Sequence, residues 1–402
     1  MKQKMAMIFS LLLCAITLSG CWSKKELTDL AFVIAVGIDK TEDGKYVMIF
    51  QVVNPGNVVG ARQIGGGSGG VPVSIYKATG DNLVEASRKA SKKLSRLIYY
   101  AHTNLVVIGE EVAKEGVNGL FDALERNSQF RATAMVVIAR HHSAEEVLKI
   151  LTPIDKIPAN QIIKTLQFSE KIWGQSINVD IGTIINDLAS PGKAPIISGV
   201  EIVGSVQKGK RQTNVQASEP DARLNVNGLA MFKDDKLVRW INGEAARGVV
   251  WILDKMEQTG VTIEWKEKKE AAVYKVVRAK TSVAAHMKKG KPSISIHIQA
   301  EGDIGEEFVS IDFTNPKQIF ALERKVEKSI KKEVVKAVEE AKKAKTDIFG
   351  FGDIVYRSYP RQWKTMKSDW NDRYFPQLEV NVTVEAFIRR TGLRTKSYLF
   401  GQ

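Results

Sequence analysis

Cysteine is nearly missing from this chain: Cys14 and Cys21 are the only two in 402 residues, and both precede residue 22. A thiol-free body excludes a disulfide framework and thiolate metal centres. Histidine is also sparse, and His102, His141, His142, His286 and His297 fall at no spacing that suits a zinc or haem site. Long apolar runs are lacking too. The stretch from Met5 to Leu18, apolar apart from Ser10 and Thr17, is shorter than the roughly 20 residues a permanent span needs. With 44% hydrophobic and 26% charged residues, the composition excludes a disordered, collagenous or polytopic membrane protein. No Gly-x-Ser-x-Gly elbow, His-Glu-x-x-His pair, Walker loop or dinucleotide fingerprint occurs. The expectation is a folded, non-enzymatic body with no cofactor and no metal, of about three domains at roughly 150 residues each.

What is present begins with an export signal. Lys2 and Lys4 precede the apolar run, which closes on Leu18-Ser19-Gly20-Cys21. This ending resembles the bacterial lipobox, which implies that residues 1–20 are removed and that Cys21 carries diacylglycerol. An ordinary secretory signal with an incidental cysteine is the alternative. Acylation converts an exported protein into an anchored one, because several buried acyl CH₂ groups hold it at the bilayer. Loss of Lys2 and Lys4 lowers the formal balance from +14 to +12, so the mature body stays strongly basic. An anionic lipid surface or an acidic partner fits that excess, whereas export and dispersed charge argue against nucleic acid.

Hydrophobic patterning divides the mature chain into three mixed α/β domains, an α+β fold: 21–195, a small middle unit at 196–258, and 259–402. Residues 27–39 and 45–53 form a hairpin about Asp43-Gly44, and the glycine run 65–70 forms a mobile loop. A strand at 71–78, a helix at 82–97, strands at 105–108 and 133–139, and a helix start capped by Ser143 follow. Ser190-Pro191-Gly192-Lys193-Ala194-Pro195 is the strongest punctuation and marks the first boundary. Beyond residue 259, long alternating strands precede a helix at 317–345. Its Ile319, Leu322, Val326, Ile330, Val334, Ala337 and Ala341 make one apolar stripe, expected to pack on an antiparallel sheet.

Candidate chemistry is thin. His141 and His142 are adjacent and read as turn histidines, since neighbours on a strand face opposite ways. Asp39, Asp43, Asp234 and Asp235 read as hairpin-turn acids beside Lys40, Lys45, Lys233 and Lys236. Trp363, Trp370, Tyr374 and Phe375 interleave with Arg361, Lys364, Lys367 and Arg373. Such a segment can stack bases or sugars. The preferred reading is that its rings pin it to the last domain while its cations face water.

Separated motifs in a fixed order then identify a resemblance. Gly20-Cys21-Trp22, Lys25-Glu26-Leu27 and Val36-Gly37-Ile38-Asp39 match the opening of the Ger(x)C family of bacterial spore germination lipoproteins, with Lys25 where arginine is frequent. His102-Thr103-Asn104-Leu105-Val106-Val107-Ile108-Gly109-Glu110 matches further, as do the region 126–131, Val226-Asn227-Gly228-Leu229-Ala230-Met231-Phe232-Lys233, Asp353-Ile354, Trp363, Trp370 and the closing strand up to Gly392. The resemblance spans essentially the whole chain. It implies a non-enzymatic subunit of a nutrient germinant receptor on the outer face of the spore inner membrane. That subunit supports assembly or signal relay beside A-type and B-type integral-membrane subunits. It implies Cys21 as lipid anchor and assigns no catalytic residue. Trp22, Lys25, Glu26, His102 and Asn104 are the candidate partner-binding residues. Two other readings stay open: a solute-binding lipoprotein that captures the nutrient itself, and a cell-wall hydrolase.

Overall fold

The computed structural model describes residues 3–5, 26–59, 70–266 and 268–390. Cys21, Trp22, Lys25, most of the 1–20 leader, most of the glycine run 65–70 and the closing Gly392 lie outside the described residues.

Alternation and turn chemistry build the first hairpin. β1 (Leu30–Lys40) pairs antiparallel with β2 (Tyr46–Val53), and Gly44 at φ +81° supplies the left-handed residue the turn requires. β3 (Val73–Gly80) extends the pair on β2, and the short β4 (Leu97–Tyr99) runs parallel beside the start of β1. The helix expected over 82–97 is shorter, Leu83–Ala90. Asn82 caps its start, and the Ser91 hydroxyl donates to Arg88 O where it stops, which frees 97–99 to pair with β1.

β5 (Leu105–Gly109) and β6 (Met135–Ala139) lie parallel to β1, with every residue of β5 buried. Their continuous apolar runs reflect burial on both faces. Val106, Ile108, Val136 and Ile138 enter one core, while Leu105, Val107, Val137 and Ala139 enter a second core on the opposite face. Each of these Val, Leu and Ile side chains contributes about 1.5–3 kcal/mol on full burial. β7 (Ile196–Gly204) pairs parallel with β6, and β8 (Ala222–Lys233) and β9 (Lys236–Ile241) follow antiparallel. The nine strands form one sheet ordered β3-β2-β1-β5-β6-β7-β8-β9, with β4 off that path. Residues 196–258, expected as a separate middle unit, therefore supply three strands to the sheet begun at residue 30. The Ser190–Pro195 punctuation falls between the helix Ile181–Ala189 and β7.

The second sheet holds β10 (Thr259–Trp265), β11 (Lys268–Lys288), β12 (Lys291–Glu307) and β13 (Glu379–Arg390) in that order. It is mixed rather than antiparallel, because β13 runs parallel to β12. The long helix Pro316–Lys343 carries the chain back across the sheet, so the last strand re-enters in the direction of β12. Six of the seven stripe residues read from sequence are buried: Leu322, Val326, Ile330, Val334, Ala337 and Ala341 lie on the helix that packs against β10, β13 and the helix Gly243–Ile252, while Ile319 in its first turn is half-buried. The larger core runs without a break from Ala31 through Trp251 to Ala386 and joins the two sheets.

Candidate functional site

The sheet end at which the chain enters gathers several residues singled out above. Glu26 precedes a single 3-10 turn, Leu27–Asp29, and β1 starts at Leu30. In the β1–β4 register Phe32 lies opposite Tyr99, so their side chains share a face. His102 completes an aromatic cluster, edge-on to Phe32 at 5.4 Å and to Tyr99 at 5.7 Å. The turn that carries His102 is held by buried Thr103, whose hydroxyl donates to Val33 O at 3.2 Å. Asn104 N donates to Ile34 O, and Met135 N donates to Asn104 O. The Asn104 side chain stays exposed and lines an open pocket of about 370 Å³ with Thr133, Met135, Asn160, Ile163, Lys164 and Gln167. His102 and Asn104 therefore sit together, at the same end of β1 as Glu26.

Asp39 is not a turn acid. It accepts the Ala144 and Glu145 amides at 2.8 and 2.9 Å and so anchors the first turn of the helix Ala144–Lys149, where Ser143 and Glu146 form the expected capping box. Burial pushes the Asp39 carboxyl up from its ordinary value, and the two amides pull against it. Gly109 makes room for this contact, since a Cβ there would lie 2.2 Å from Asp39 Oδ1. Gly109→Ala is expected to cost about 1–3 kcal/mol in urea unfolding. An unchanged midpoint would show that the Asp39 contact is dispensable. Beside it, Glu110 accepts the His141 amide at 2.6 Å and the Trp240 indole at 3.1 Å. Burial alone would raise the Glu110 carboxyl, but these donors and Lys114 outweigh it and hold the group below the usual range. His141, at φ +60°, lies in a turn as expected.

The junction between the sheets is polar and buried. Glu333, 3% exposed in its side chain, accepts two guanidinium bonds from Arg247 and the Trp251 indole at 3.0 Å. Gly248 lets the two helices touch, because a Cβ would fall 2.1 Å from Glu333 O. Asp347 is fully buried. Its Oδ1 accepts the amides of Phe349, Gly350 and Phe351 at 3.0–3.2 Å, and its Oδ2 accepts Gly352 N and Trp370 Nε1 at 2.8 and 2.9 Å. The Ser190–Pro195 segment docks on this loop: Ala194 N donates to Asp347 O at 2.7 Å, and Ser190 Oγ donates to Asp353 at 2.6 Å. Thr346 Oγ1 reaches Phe232 O at 2.6 Å. Trp363, Trp370 and Phe375 are buried, while Arg361, Lys364, Lys367 and Arg373 are exposed, as the pinning reading expects.

Sequence reasoning missed Asp39, Glu110, Glu333 and Asp347 as organising groups. Glu333 had a visible signal, for it lies on the buried side of the helix, three residues after Ile330 and four before Ala337. Asp347 precedes Gly350 and Gly352, which is a capping pattern. Asp39 carries no local signal, because its partners lie 105 and 106 residues away.

Among the described residues no group of three or more His, Cys, Asp or Glu side chains could hold a metal ion, and no helix is long and apolar enough to cross a membrane. The buried carboxylates of Glu110, Glu333 and Asp347 accept from amide, indole and guanidinium donors, and buried Asp187 pairs with Lys193, so each is engaged within the fold. Fold and site thus define a two-sheet α+β protein whose buried carboxylates brace its own fold. Comparison with known proteins narrows the class: residues 23–202 match the family described as spore germination protein N-terminal domain, and residues 227–392 match spore germination B3/GerAC like, C-terminal. The chain belongs to this GerAC-type spore germination family. It is 42% identical to spore germination protein KC of Bacillus subtilis (strain 168), over 98% of this chain and 97% of that one. It is 29% identical to the putative spore germination protein YfkR of the same strain, over 97% of each chain. The solved structure titled "Crystal Structure of the GerBC protein" shares the fold with a TM-score of 0.55 at 18% identity, over 88% of this chain and 96% of that chain.

Proposed function

We propose that this chain is a non-enzymatic lipoprotein subunit of a nutrient germinant receptor, tethered by diacylglycerol on Cys21 to the outer face of the spore inner membrane. There it supports assembly, or relays the signal, beside A-type and B-type integral-membrane subunits. The observation that carries this reading is the paired match to both halves of the spore germination family, which together cover nearly the whole chain. The saturated polar junction supports it, because a subunit that stabilises partners or passes a movement on needs two units that move together. A test compares wild type with Cys21→Ala in sporulating cells. Loss of acyl mass, release of the body from the membrane fraction and weakened nutrient-triggered germination are expected. Unchanged mass, location and response would remove the anchor.

The pocket beside Asn104 favours a second reading, in which the chain itself captures the nutrient. Its amides, hydroxyl and one ammonium suit a small polar solute. Titration calorimetry with candidate nutrients separates the two, since saturable binding lost in Asn104→Ala belongs only to the second.

A further inference from the structure

The described body begins at Glu26, immediately before the turn that starts β1, so the place where a tether joins the body is fixed. Cys21 lies five positions earlier, and five residues reach about 17 Å at full extension. Any acyl anchor on Cys21 therefore holds this end of the nine-stranded sheet at the bilayer. This end is also unusually apolar for a surface. Leu27 is 73% exposed and Leu97 52% exposed, and Phe32, Tyr99 and His102 pack half-open beside them. Leu97, Phe32 and Tyr99 share one face of the β1–β4 pair. Two exposed cations, Lys92 and Arg96, stand just before β4 with no ion-pair partner among the described residues, and Lys93 donates to Lys77 O. Glu26 and Asp29 are the acids on the entry turn itself.

We infer that this sheet end is a docking surface for an anionic lipid bilayer, with Leu27, Leu97, Tyr99 and His102 at the interface and Lys92 and Arg96 against the headgroups. The inference rests on the Cys21 anchor of the proposed function. Amphipathic rings and exposed leucines suit the boundary between headgroup and acyl chain, and cations near it attract acidic lipid. A short tether raises the local concentration of the surface enough for a small patch to engage, where a free protein would need a far larger interface. The docked body then stands on one end of its sheet rather than swinging about the anchor.

The test uses the mature, acylated chain in vesicles of phosphatidylglycerol and phosphatidylethanolamine, with phosphatidylcholine vesicles as control. The mature chain has no cysteine besides Cys21, so Leu97→Cys or Val277→Cys takes a fluorophore at one site. Val277 is 53% exposed on the second sheet, outside the proposed surface, and serves as the comparison site. Spin-labelled lipid is expected to quench position 97 several-fold more than position 277 in anionic vesicles. Lys92→Glu with Arg96→Glu should lower that docked fraction by about five-fold per charge. An acylated, vesicle-borne protein quenched equally at 97 and 277 overturns the inference and leaves the anchor standing. Equal quenching of position 97 in phosphatidylcholine overturns the anionic assignment. Protection of position 97 only when co-expressed membrane subunits are present assigns the face to a protein and overturns docking to lipid. A chain without acyl mass that does not float with vesicles overturns both readings.

Discussion

Glu333→Ala is expected to lower the unfolding free energy by about 3–5 kcal/mol, the range for a buried ion pair that loses one partner. The side chain is almost wholly enclosed and binds both Arg247 and Trp251, so truncation strands a guanidinium 12% exposed and an indole N–H in the core. Arg247 also donates to Gly260 O at 3.3 Å, which ties the same cluster to β10. Because Glu333 lies on the long helix and its donors on the helix Gly243–Ile252, the loss should loosen the two sheets from each other before either melts. Urea unfolding followed by tryptophan fluorescence checks the size, and hydrogen exchange at the 243–252 amides checks the place. Glu333→Gln, which keeps the shape and an acceptor, should recover part of the loss. A cost below about 1 kcal/mol for Glu333→Ala would show that the cluster does not hold the sheets together.

Asp347→Ala is expected to be of similar size, on the order of 4 kcal/mol at neutral pH, because five N–H groups lose their acceptor and each orphaned donor costs roughly 1–3 kcal/mol when water cannot reach it fully. The residue also gives stability a pH dependence of definite sign. Burial pushes the Asp347 carboxyl up to about 6, although the Gly352 amide, the Trp370 indole and the Phe351 and Phe349 amides pull it down. The folded value lies above the roughly 3.9 of an unfolded aspartate, so the fold favours the protonated form. That contribution is fully present below about pH 4 and is lost as pH rises through 6, a fall of about 3 kcal/mol. The advantage of wild type over Asp347→Asn should shrink by that amount from below pH 4 to pH 7. Denaturant midpoints of the two proteins at matched pH measure it, and a constant difference would show that Asp347 does not titrate in this range.

Local chemistry was legible in the sequence, and long-range partnership was not. The hairpin about Gly44, the capping box at Ser143 and the stripe on the 316–343 helix all follow from spacing and turn residues, and each forms where expected. Ser190–Pro195 is a turn, as its composition requires, but composition does not reveal that the strand after it rejoins the same sheet through β6. The direction of β13 was hidden for the same reason, since parallel and antiparallel strands share one alternation. For the candidate site, His102 and Asn104 were found with their neighbourhood unknown, because the partners Phe32, Ile34 and Met135 come from other strands. Asp39 looked like a hairpin acid by its position next to Lys40, and only the fold shows its carboxyl turned inward toward a helix more than a hundred residues on.

The parallel pairing of β12 with β13 sets the order in which the protein can be made. Gln299 and Glu385, hydrogen-bonded across that pair, lie 86 positions apart in the chain. The buried Ile294, Ile296 and Ile298 pair with Val380, Val382 and Val384, so their strand gains its second neighbour only once β13 has arrived behind the long helix. A nascent chain thus exposes an unfinished sheet edge until residues 379–390 emerge, and non-local pairings of this kind close slowly. Loss of β13, through a stop codon before residue 379, would not trim a tail but leave the second sheet with three of its four described strands.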